Sequence, residues 1–267
     1  MTSFRLTLEY DGSRYRGWQE QRNARTVAGE VRRAAEEILG ESVELGGSGR
    51  TDAGVHALAQ EAHLRVRGRL EPEGFRREMN ERLAQDIHLL RVRPVDGRFH
   101  ARHSATERAY LYQISRRRTA FAKRYVWWVR QPLALDAMRA AASLLAGRHD
   151  FAAFCERPDE QSSTLVQVSS CEIAAEGSLI LVRISASHFL WKMVRRVVGA
   201  LVRAGSGELS PRDLKLLLAG SVPADDAEGP ARWTAPPSGL FLEGVLYAGD
   251  PPLGALRPAI AVRAEAP

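Results

Sequence analysis

Cysteine is scarce in this sequence, and long apolar runs are missing. The 267 residues include only Cys155 and Cys171, too few for a disulfide framework or a cysteine-rich zinc site, which favours a reduced, cytoplasmic compartment. No apolar run reaches the roughly 18 residues of a membrane span, so we expect no membrane partner. The seven histidines form no convincing ligand constellation, and we therefore predict no metal site.

Lysine is also scarce, and arginine carries most of the positive charge. Three of the 38 basic residues are lysine, which leaves 35 arginines, and the formal net charge is +6. The arginine side chain has a planar donor fork that suits phosphates, and it stacks on bases. Either a nucleic-acid partner or a codon bias towards arginine explains this composition. With 45% hydrophobic and 26% charged residues, the chain is expected to be globular.

Hydrophobic periodicity and capping residues predict an α+β fold. Alternation typical of strands occurs at 4–10, 61–69, 88–94, 109–115, 125–130, 165–174, 178–185 and 239–247. Helical periodicity occurs at 27–39, 73–84, 136–147, 189–205 and 210–220. Thr26, Asp136 and Ser210 are expected to cap the first, third and fifth of these helices. Strand pairs that resemble hairpins interrupt the alternation, which predicts a mainly antiparallel sheet in two similar halves.

The two predicted halves have no detectable sequence repeat between them. The first, residues 1–103, carries the candidate catalytic aspartate, and the second, 104–248, completes the active site. A tail with little structure is expected at 249–267. The stretch 221–237 is rich in proline, alanine and aspartate and is expected to be a loop.

The stretch 46–60, GGSGRTDAGVHALAQ, combines glycines with the polar side chains of Arg50, Asp52 and His56. Glycine permits positive φ and lets another backbone or a ligand come close, so we predict a turn at the mouth of a strand. A P-loop is excluded because no Gly-Lys-Ser/Thr follows the glycines. Taken alone, the pattern fits a capped turn. We expect His56 to brace the loop rather than to react.

Two other segments contain side chains that favour chemistry at Asp52. An ionised aspartate can attack an electrophilic carbon in a shielded site if a cation keeps it charged. Arg195, beside the apolar stripe of 189–205, is a candidate cation, and a surface arginine with a buried stem is the alternative. Tyr110 and Tyr112 share one strand face beside a basic loop, where a ring can stack on a flipped-out base. Two ordinary sheet tyrosines are the alternative there.

Five motifs occur in the order found in the tRNA pseudouridine synthase I family (TruA). They are YDGSRYRGWQ with a later TV, GRTDAGVHA, FHARHSATERAY, MVRRVVG and GLFL. GRTDAGVHA is the most specific of them. The sequence resembles this family from about residue 4 to residue 247.

This resemblance implies an isomerase that converts uridine to pseudouridine in the anticodon arm of tRNA, at positions 38, 39 and 40, without cofactor or metal. It implies a homodimer in which one tRNA contacts both subunits. It also implies two pseudosymmetric halves that share an extended, mainly antiparallel sheet with helices on one face and a central catalytic cleft. The family's nucleophile corresponds to Asp52, and its base-displacing arginine corresponds to Arg50. The active-site tyrosine, the arginine that pairs with the nucleophile and a leucine of the uracil pocket correspond to Tyr110, Arg195 and Leu240.

The chemical route stays open at this point. Asp52 attacks either the sugar C1′ or uracil C6, or the reaction passes through a glycal after loss of a C2′ proton. Tyr110 is a stacking wall, a base or both, and its ordinary pKa of about 10 would have to fall for the base role. The alternative functions are a catalytically silent tRNA-binding protein on the same scaffold and a glycosidase. A glycosidase needs a second carboxylate near the first, and only Glu61 is a candidate.

Phosphate contacts are expected from arginines near these motifs. Arg65, Arg67 and Arg69 would lie on one side of the predicted strand 61–69, and Arg102 lies in the basic loop. Further candidates are Arg14, Arg16 and the run 116–118. The sequence departs from the family pattern at Ala84, Cys155, Ser163-Thr164 and Trp191-Lys192. None of these departures involves Asp52, so they bear on RNA contacts rather than on the chemistry.

Overall fold

The computed structural model describes residues 1–156, 163–221 and 229–263, which contain ten strands and five α-helices. The strands are β1 (Thr2–Tyr10), β2 (Glu44–Gly47), β3 (His56–Val66), β4 (Ile87–Val95), β5 (Ala105–Ser115), β6 (Trp127–Trp128), β7 (Gly147–Asp150), β8 (Leu165–Glu176), β9 (Leu179–Ala186) and β10 (Leu240–Tyr247). The helices are α1 (Val27–Leu39), α2 (Pro72–Arg82), α3 (Leu135–Ser143), α4 (Met193–Gly205) and α5 (Pro211–Leu218). The predicted α+β class is confirmed.

The chain divides into two compact units. Unit 1 comprises Met1–Thr106 and Phe241–Leu253, and unit 2 comprises Glu107–Leu240 and the stretch from Gly254 onward. The sequence-based division at 103/104 and at 248/249 differs from this one, because nearly all of β10 belongs to unit 1. Its residues Phe241 and Leu242 pair in parallel with β3. Such a long-range pairing leaves no signal in the local sequence pattern.

Unit 1 is built on the strand order β4-β1-β3-β10, with β2 paired to β3. These pairings are antiparallel, apart from the parallel pairing of β10 with β3. Phe4, Leu6 and Leu8 alternate along β1 and are buried, while Arg5 and Thr7 point to its other face. The alternation in the sequence therefore reports the core face of this strand correctly.

Local capping signals explain where the helices of unit 1 begin and end. The Thr26 side chain accepts a hydrogen bond from the backbone N–H of Gly29 at the start of α1, as predicted. Gly40 ends α1 with a φ of 65°, a left-handed conformation that favours glycine. At the start of α2, the Glu71 carboxylate accepts from two backbone N–H groups, and Pro72 occupies the first helical position.

Unit 2 is built on the strand order β5-β9-β8-β7, with antiparallel pairings. The two-residue strand β6 pairs in parallel with β5 and replaces the longer strand predicted at 125–130. All eight residues of β9 are buried, including Arg183, whose side chain donates to the carbonyl of Gly254 at 2.9 Å. The C-terminal stretch thus satisfies a charged group inside the core of this unit.

Two helices of unit 2 begin at other residues than predicted. α4 begins at Met193 rather than at residue 189, because Lys192 has a left-handed backbone with a φ of 62° and interrupts the helical periodicity. α3 begins at Leu135 after Ala134, which offers no side-chain cap, so Asp136 lies in the first turn and is not the N-cap. Ser210 does cap α5, as predicted, by accepting from the N–H of Asp213.

The stretch after Gly249 contains no helix or strand up to residue 263, but it is tied to the rest of its units by hydrogen bonds. In unit 1, Asp250 accepts from Arg5. In unit 2, the Gln113 side chain accepts from the N–H groups of Ala259 and Ile260. The expectation of a tail with little structure is therefore incomplete. Of the loop expected at 221–237, residues 222–228 lie outside the described residues.

Two kinds of feature are absent from the residues that the structure describes. No described helix is long and apolar enough to cross a membrane. No group of three or more His, Cys, Asp or Glu side chains in these ranges is arranged to hold a metal ion.

Candidate active site

The loop at residues 48–55, called the RTD loop below, joins β2 to β3 and is held at its start and at its middle by hydrogen bonds from other segments. The Gln60 side chain accepts from the Ser48 hydroxyl at 2.8 Å and donates to the Gly49 carbonyl at 3.1 Å. The backbone N–H of Trp18 donates to the Thr51 carbonyl at 3.1 Å. Gln60 and Ser48 are buried, so the bond between them is shielded from water. The path of the loop is therefore set by residues on both sides of it in the sequence.

Close packing explains two of the four glycines at residues 46–54. A Cβ added to Gly47 would lie 2.4 Å from the indole nitrogen of Trp18, and one added to Gly46 would lie 2.4 Å from the His63 ring. Within 46–54, only Gly54 has a positive φ, at 79°. The expectation that these glycines supply positive φ is thus wrong for Gly46, Gly47 and Gly49, while the expected close approach occurs at Gly46 and Gly47.

Thr51 is anchored inward between the two functional candidates. Its hydroxyl lies 2.8 Å from the hydroxyl of Tyr10, which also accepts from the Gln60 amide at 3.4 Å. Burial raises the pKa of Tyr10 to about 12, so this phenol stays protonated at neutral pH. With Thr51 buried, Arg50 is exposed and Asp52 is partly buried. The loop thus presents an arginine and a carboxylate on either side of one anchored threonine.

His56 supports the preceding segment of the chain from within the core. Its Nδ1 accepts from the backbone N–H of Gly12 at 3.1 Å, and its ring stacks on Phe241 at 4.8 Å between centroids. The Asp11 carboxylate also lies 3.1 Å from His56 Nδ1. These contacts fit the bracing role expected of His56.

An open groove of about 600 Å³ lies beside the RTD loop. Ala53 and Gly54 form part of its wall, and Arg14, Arg16 and Arg25 line it from the neighbouring segment. Arg14 and Arg16 are exposed, and Arg25 lies over the Tyr15 ring at 4.7 Å. The groove therefore combines positive charge with access to the loop that carries Asp52.

Tyr110 and Tyr112 share a face of β5 but have different surroundings. Tyr110 is 9% exposed, and its ring meets the Phe189 ring edge to face at 5.0 Å. Tyr112 is fully buried and donates its hydroxyl to the carbonyl of Pro236 at 2.7 Å. Burial raises the pKa of Tyr112 well above its ordinary value, although the charge of Arg195 opposes this. Tyr112 is therefore a core residue, and Tyr110 is the more exposed tyrosine of the two.

Arg195 is fixed to the segment that leads into β10. Its Nε donates to the Ala235 carbonyl at 2.6 Å, and the Ala235 N–H donates to the Arg195 carbonyl at 3.0 Å. Further along this segment, a Cβ on Gly239 would lie 2.7 Å from the Tyr112 ring, and Leu240 is 5% exposed. The five predicted site residues are thus divided between the units, with Arg50 and Asp52 in unit 1 and the other three in unit 2.

The predicted RNA-contacting arginines have unequal environments. β3 ends at Val66, so the expectation that strand alternation aligns Arg65, Arg67 and Arg69 is wrong. Arg65 forms a 2.6 Å ion pair with Glu44, whereas Arg67 and Arg69 follow the strand and are exposed. Arg102 is exposed in the loop before β5.

Glu61 is committed to an ion pair away from the RTD loop. Its carboxylate accepts from Arg5 at 2.8 Å and from the Thr7 hydroxyl at 2.9 Å. Since consecutive strand residues face opposite sides, Glu61 points away from Gln60, which holds the loop. This arrangement disfavours the glycosidase alternative, which needs a second carboxylate beside Asp52. Gln60 and Trp18, which hold the loop, were missed by sequence reasoning because neither residue type signals such a role.

Comparisons with known proteins agree on one family. Residues 7–104 and 141–248 match the family described as tRNA pseudouridine synthase. The tRNA pseudouridine synthase A of Sinorhizobium fredii is 39% identical over 252 residues, covering 92% of this chain and 100% of that protein. The corresponding protein of Mesorhizobium japonicum is 40% identical, with the same coverage of both chains. The tRNA pseudouridine synthase A 2 of Bacillus cereus is 34% identical, again covering 92% and 100%.

One solved structure, described as a Cbf5-Nop10-Gar1 complex, overlaps 74% of this chain and 53% of that chain at 11% identity. Its TM-score of 0.30 is too low to carry an argument. The sequence matches are much stronger than this structural match, since they span both units and nearly the whole chain. They define the class of the protein as an isomerase that forms pseudouridine. The chain belongs to the tRNA pseudouridine synthase family.

Proposed function

We propose that this protein isomerises uridine to pseudouridine in the anticodon arm of tRNA, at positions 38, 39 and 40. It acts as a cytoplasmic homodimer, with tRNA as its partner and no cofactor. The observation that carries the proposal is the RTD loop, in which buried bonds from Tyr10 and Gln60 hold Thr51 and Gly49. Family membership supports the reaction type, and the thiols of Cys155 and Cys171, which are not joined in a disulfide, fit a reducing compartment.

Asp52 is the proposed nucleophile. Its backbone is fixed by the Val55 N–H, which donates to the Asp52 carbonyl at 3.1 Å, and by the anchored Thr51 before it. When the backbone of a carboxylate residue is fixed, little free energy is needed to position the carboxylate against an electrophilic carbon. Attack at C1′, attack at C6 and a glycal route all begin with this carboxylate near the sugar and the uracil. In each of them the N1–C1′ bond breaks, the uracil turns, and C5 bonds to C1′. C5 then gives up its proton and N1 takes one up, so that the net change is an isomerisation.

Arg50 is the proposed substitute for the departing base. A uridine stacked in the anticodon arm is out of reach of any carboxylate, so it must leave the stack at a cost of a few kcal/mol. The exposed guanidinium of Arg50 is planar and charged, so it can stack in the gap while facing phosphates. Arg14 and Arg16 in the adjoining groove are placed beside the loop and add positive charge there.

Tyr110, Leu240 and Arg195 are the proposed contributions of unit 2. The Tyr110 ring is held by Phe189 and serves as a wall against the uracil, with Leu240 as an apolar partner. Arg195 supplies the positive charge that keeps the nucleophile ionised. Its Nε is already bonded to Ala235, which orients the guanidinium, and the fork carries further N–H donors for a carboxylate.

Pseudouridine mapping on unmodified tRNA transcripts tests the reaction, with Asp52→Ala as the comparison. Transcripts that retain a single uridine at 38, 39 or 40 test the positions. The proposal expects pseudouridine at these positions with the wild type and none with Asp52→Ala. Wild-type protein that binds tRNA but forms no pseudouridine would instead establish the catalytically silent tRNA-binding alternative. Sedimentation of the wild type measures whether it is the proposed homodimer.

A further inference from the structure

A surface of unit 2 that the proposed chemistry does not use combines positive charge with exposed aromatic rings. It is the stretch 116–130, from the end of β5 to the residues after β6, called the basic turn below. Its cations are Arg116, Arg117, Arg118, Lys123, Arg124 and Arg130. No Asp or Glu occurs between residues 108 and 135, so the basic turn has no carboxylate of its own. All of these cations except the partly buried Arg117 are exposed.

Many arginines of the protein have carboxylate partners, whereas most cations of the basic turn do not. Arginines elsewhere lie against carboxylates, as in the pairs Arg5–Glu61, Arg32–Glu20 and Arg65–Glu44. Within the described part of the chain, no ion pair involves Arg116, Arg117, Arg118, Lys123 or Arg130. Two of them bind carbonyl oxygens instead, since Arg117 donates to Arg263 at 2.8 Å and Arg116 donates to Gly177. Carbonyl partners orient a guanidinium without neutralising its charge.

Two aromatic rings of the basic turn are exposed to solvent. Phe121 is 98% exposed and Trp128 is 38% exposed. The guanidinium carbons of Arg118 and Arg130 lie 5.8 and 5.9 Å from the centroid of the Trp128 ring. Large aromatic side chains exposed within one short stretch are typical of a binding surface rather than of a folded core. Flanking arginines make the Trp128 ring a suitable platform for a base that carries phosphates on either side.

We propose that the basic turn is a second RNA-contact surface, which binds unpaired nucleotides of the tRNA substrate. Phe121 and Trp128 stack on bases, and the cations around them contact phosphates. The nucleotides are unpaired because a base inside a duplex has no free face for an aromatic ring. This inference rests on the proposed function in taking tRNA as the substrate. A second copy of the chain fits less well, because a two-fold contact through this surface would bring like charges together.

Two double variants and one matched control test the surface. Arg118→Gln with Arg130→Gln removes charge, and Phe121→Ala with Trp128→Ala removes the rings. The control is Arg139→Gln with Arg212→Gln, which removes the same charge from exposed positions on α3 and α5. The Kd for a fluorescent tRNA transcript is measured by anisotropy across a salt series, with a fully paired RNA duplex of equal length as a second ligand. Sedimentation of each variant reports its mass.

The charge variant is expected to raise the Kd for tRNA about tenfold over the control and to lower the slope of log Kd against log salt by about 1.5, since two phosphate contacts are lost. The ring variant is expected to raise the Kd for tRNA at least about fivefold, with the duplex Kd and the salt slope unchanged. A Kd equal to that of the control in both variants overturns the proposal. A ring variant with unchanged tRNA affinity and a lower mass also overturns it, because the surface is then an interface between copies.

The binding readout separates this proposal from the proposed function. If the wild type forms no pseudouridine but the two variants bind tRNA more weakly as expected, the enzyme assignment fails and the RNA surface stands. If pseudouridine forms normally while the variants bind like the control, the RNA surface fails and the enzyme assignment stands.

Discussion

The hydroxyl of Tyr10 lies 2.8 Å from the hydroxyl of Thr51, and both side chains are buried in unit 1. This contact joins the first strand of the protein to the loop between Arg50 and Asp52. It is the reason that a loop rich in glycine has a defined path, because the bond partners are part of a packed core. The position of the proposed nucleophile thus depends on a residue more than forty positions away.

Replacing Tyr10 with phenylalanine should loosen the RTD loop. Tyr10→Phe removes the hydroxyl that bonds Thr51 and Gln60 and leaves both groups buried with one partner fewer. We expect a loss of about 1–2 kcal/mol in the free energy of unfolding. We also expect a lower kcat for pseudouridine formation with little change in the Kd for tRNA.

Tyr247→Phe is a matched control, since its buried hydroxyl donates to the Ala101 carbonyl at 2.8 Å. It should lose similar stability by urea unfolding and keep a kcat close to that of the wild type. An equal fall of kcat in both variants would show that Tyr10 acts through general stability rather than through the loop.

Alanine at Gly47 should be far more disruptive than alanine at Gly49. The Cβ of Gly47→Ala would lie 2.4 Å from the Trp18 indole, whereas nothing lies within 4 Å of a Cβ at Gly49. We expect Gly47→Ala to destabilise the protein by about 1–3 kcal/mol and Gly49→Ala by less than about 0.5 kcal/mol. Urea unfolding measures both. Equal midpoints for the two variants would contradict the packing role of Gly47.

The stability of the protein should decrease as the pH falls, because two histidines at the loop before β5 accept hydrogen bonds. Nδ1 of His63 accepts from the Ala101 N–H at 3.2 Å, and Nδ1 of His100 accepts from the Arg102 N–H at 3.2 Å. Desolvation is the largest cause that lowers the pKa of both imidazoles, and the charge of Arg65 lowers both further while Glu44 opposes the shift. His100 also lowers the pKa of His63, and His103 lowers that of His100. Both rings are therefore held in the neutral form.

Protonation of His63 and His100 should lower the free energy of unfolding. A histidine whose pKa is lowered by folding contributes stability above its unfolded pKa of about 6.5 and loses it as the pH falls further. The free energy of unfolding should thus decrease below about pH 6.5. His100→Asn keeps an acceptor that does not titrate and should flatten this decrease, whereas His149→Asn in unit 2 should not. A stability that is constant with pH down to about 5 would refute the effect.

Replacing Arg195 with lysine should lower the kcat for pseudouridine formation. Arg195→Lys keeps the positive charge but loses the Nε bond to the Ala235 carbonyl and the planar fork. We expect kcat for pseudouridine formation to fall by about 10²–10³ with the Kd for tRNA nearly unchanged. Arg203→Lys on the same helix, where the side chain pairs with Glu208, should keep kcat. Full activity in Arg195→Lys would remove the role proposed for the guanidinium.

Some elements were predictable from the sequence because their signals are local. The cap at Thr26, the cap at Ser210 and the alternation of β1 all depend on residues a few positions apart. The start of α4 was not predictable, since the apolar stripe continues upstream while the backbone of Lys192 is left-handed. The place of β10 in unit 1 was also hidden, because its pairing with β3 joins residues nearly two hundred positions apart.

Some residues of the candidate site were likewise predictable from local sequence, and others were not. Arg50 and Asp52 are named by a motif that is contiguous in sequence, so they could be singled out at once. The groups that hold their loop are Gln60, Tyr10 and the Trp18 backbone, which form hydrogen bonds with Ser48, Gly49 and Thr51. No composition or periodicity marks such bonds, so they could be found only from the structure.

We propose that Asp52 performs the chemistry on a uridine of tRNA. The most direct test of this role is single-turnover pseudouridine formation on an unmodified tRNA transcript by Asp52→Asn, with tRNA binding measured on the same preparation. We expect wild-type affinity for tRNA and no detectable pseudouridine from this variant. Pseudouridine formation by Asp52→Asn at the wild-type rate would contradict it.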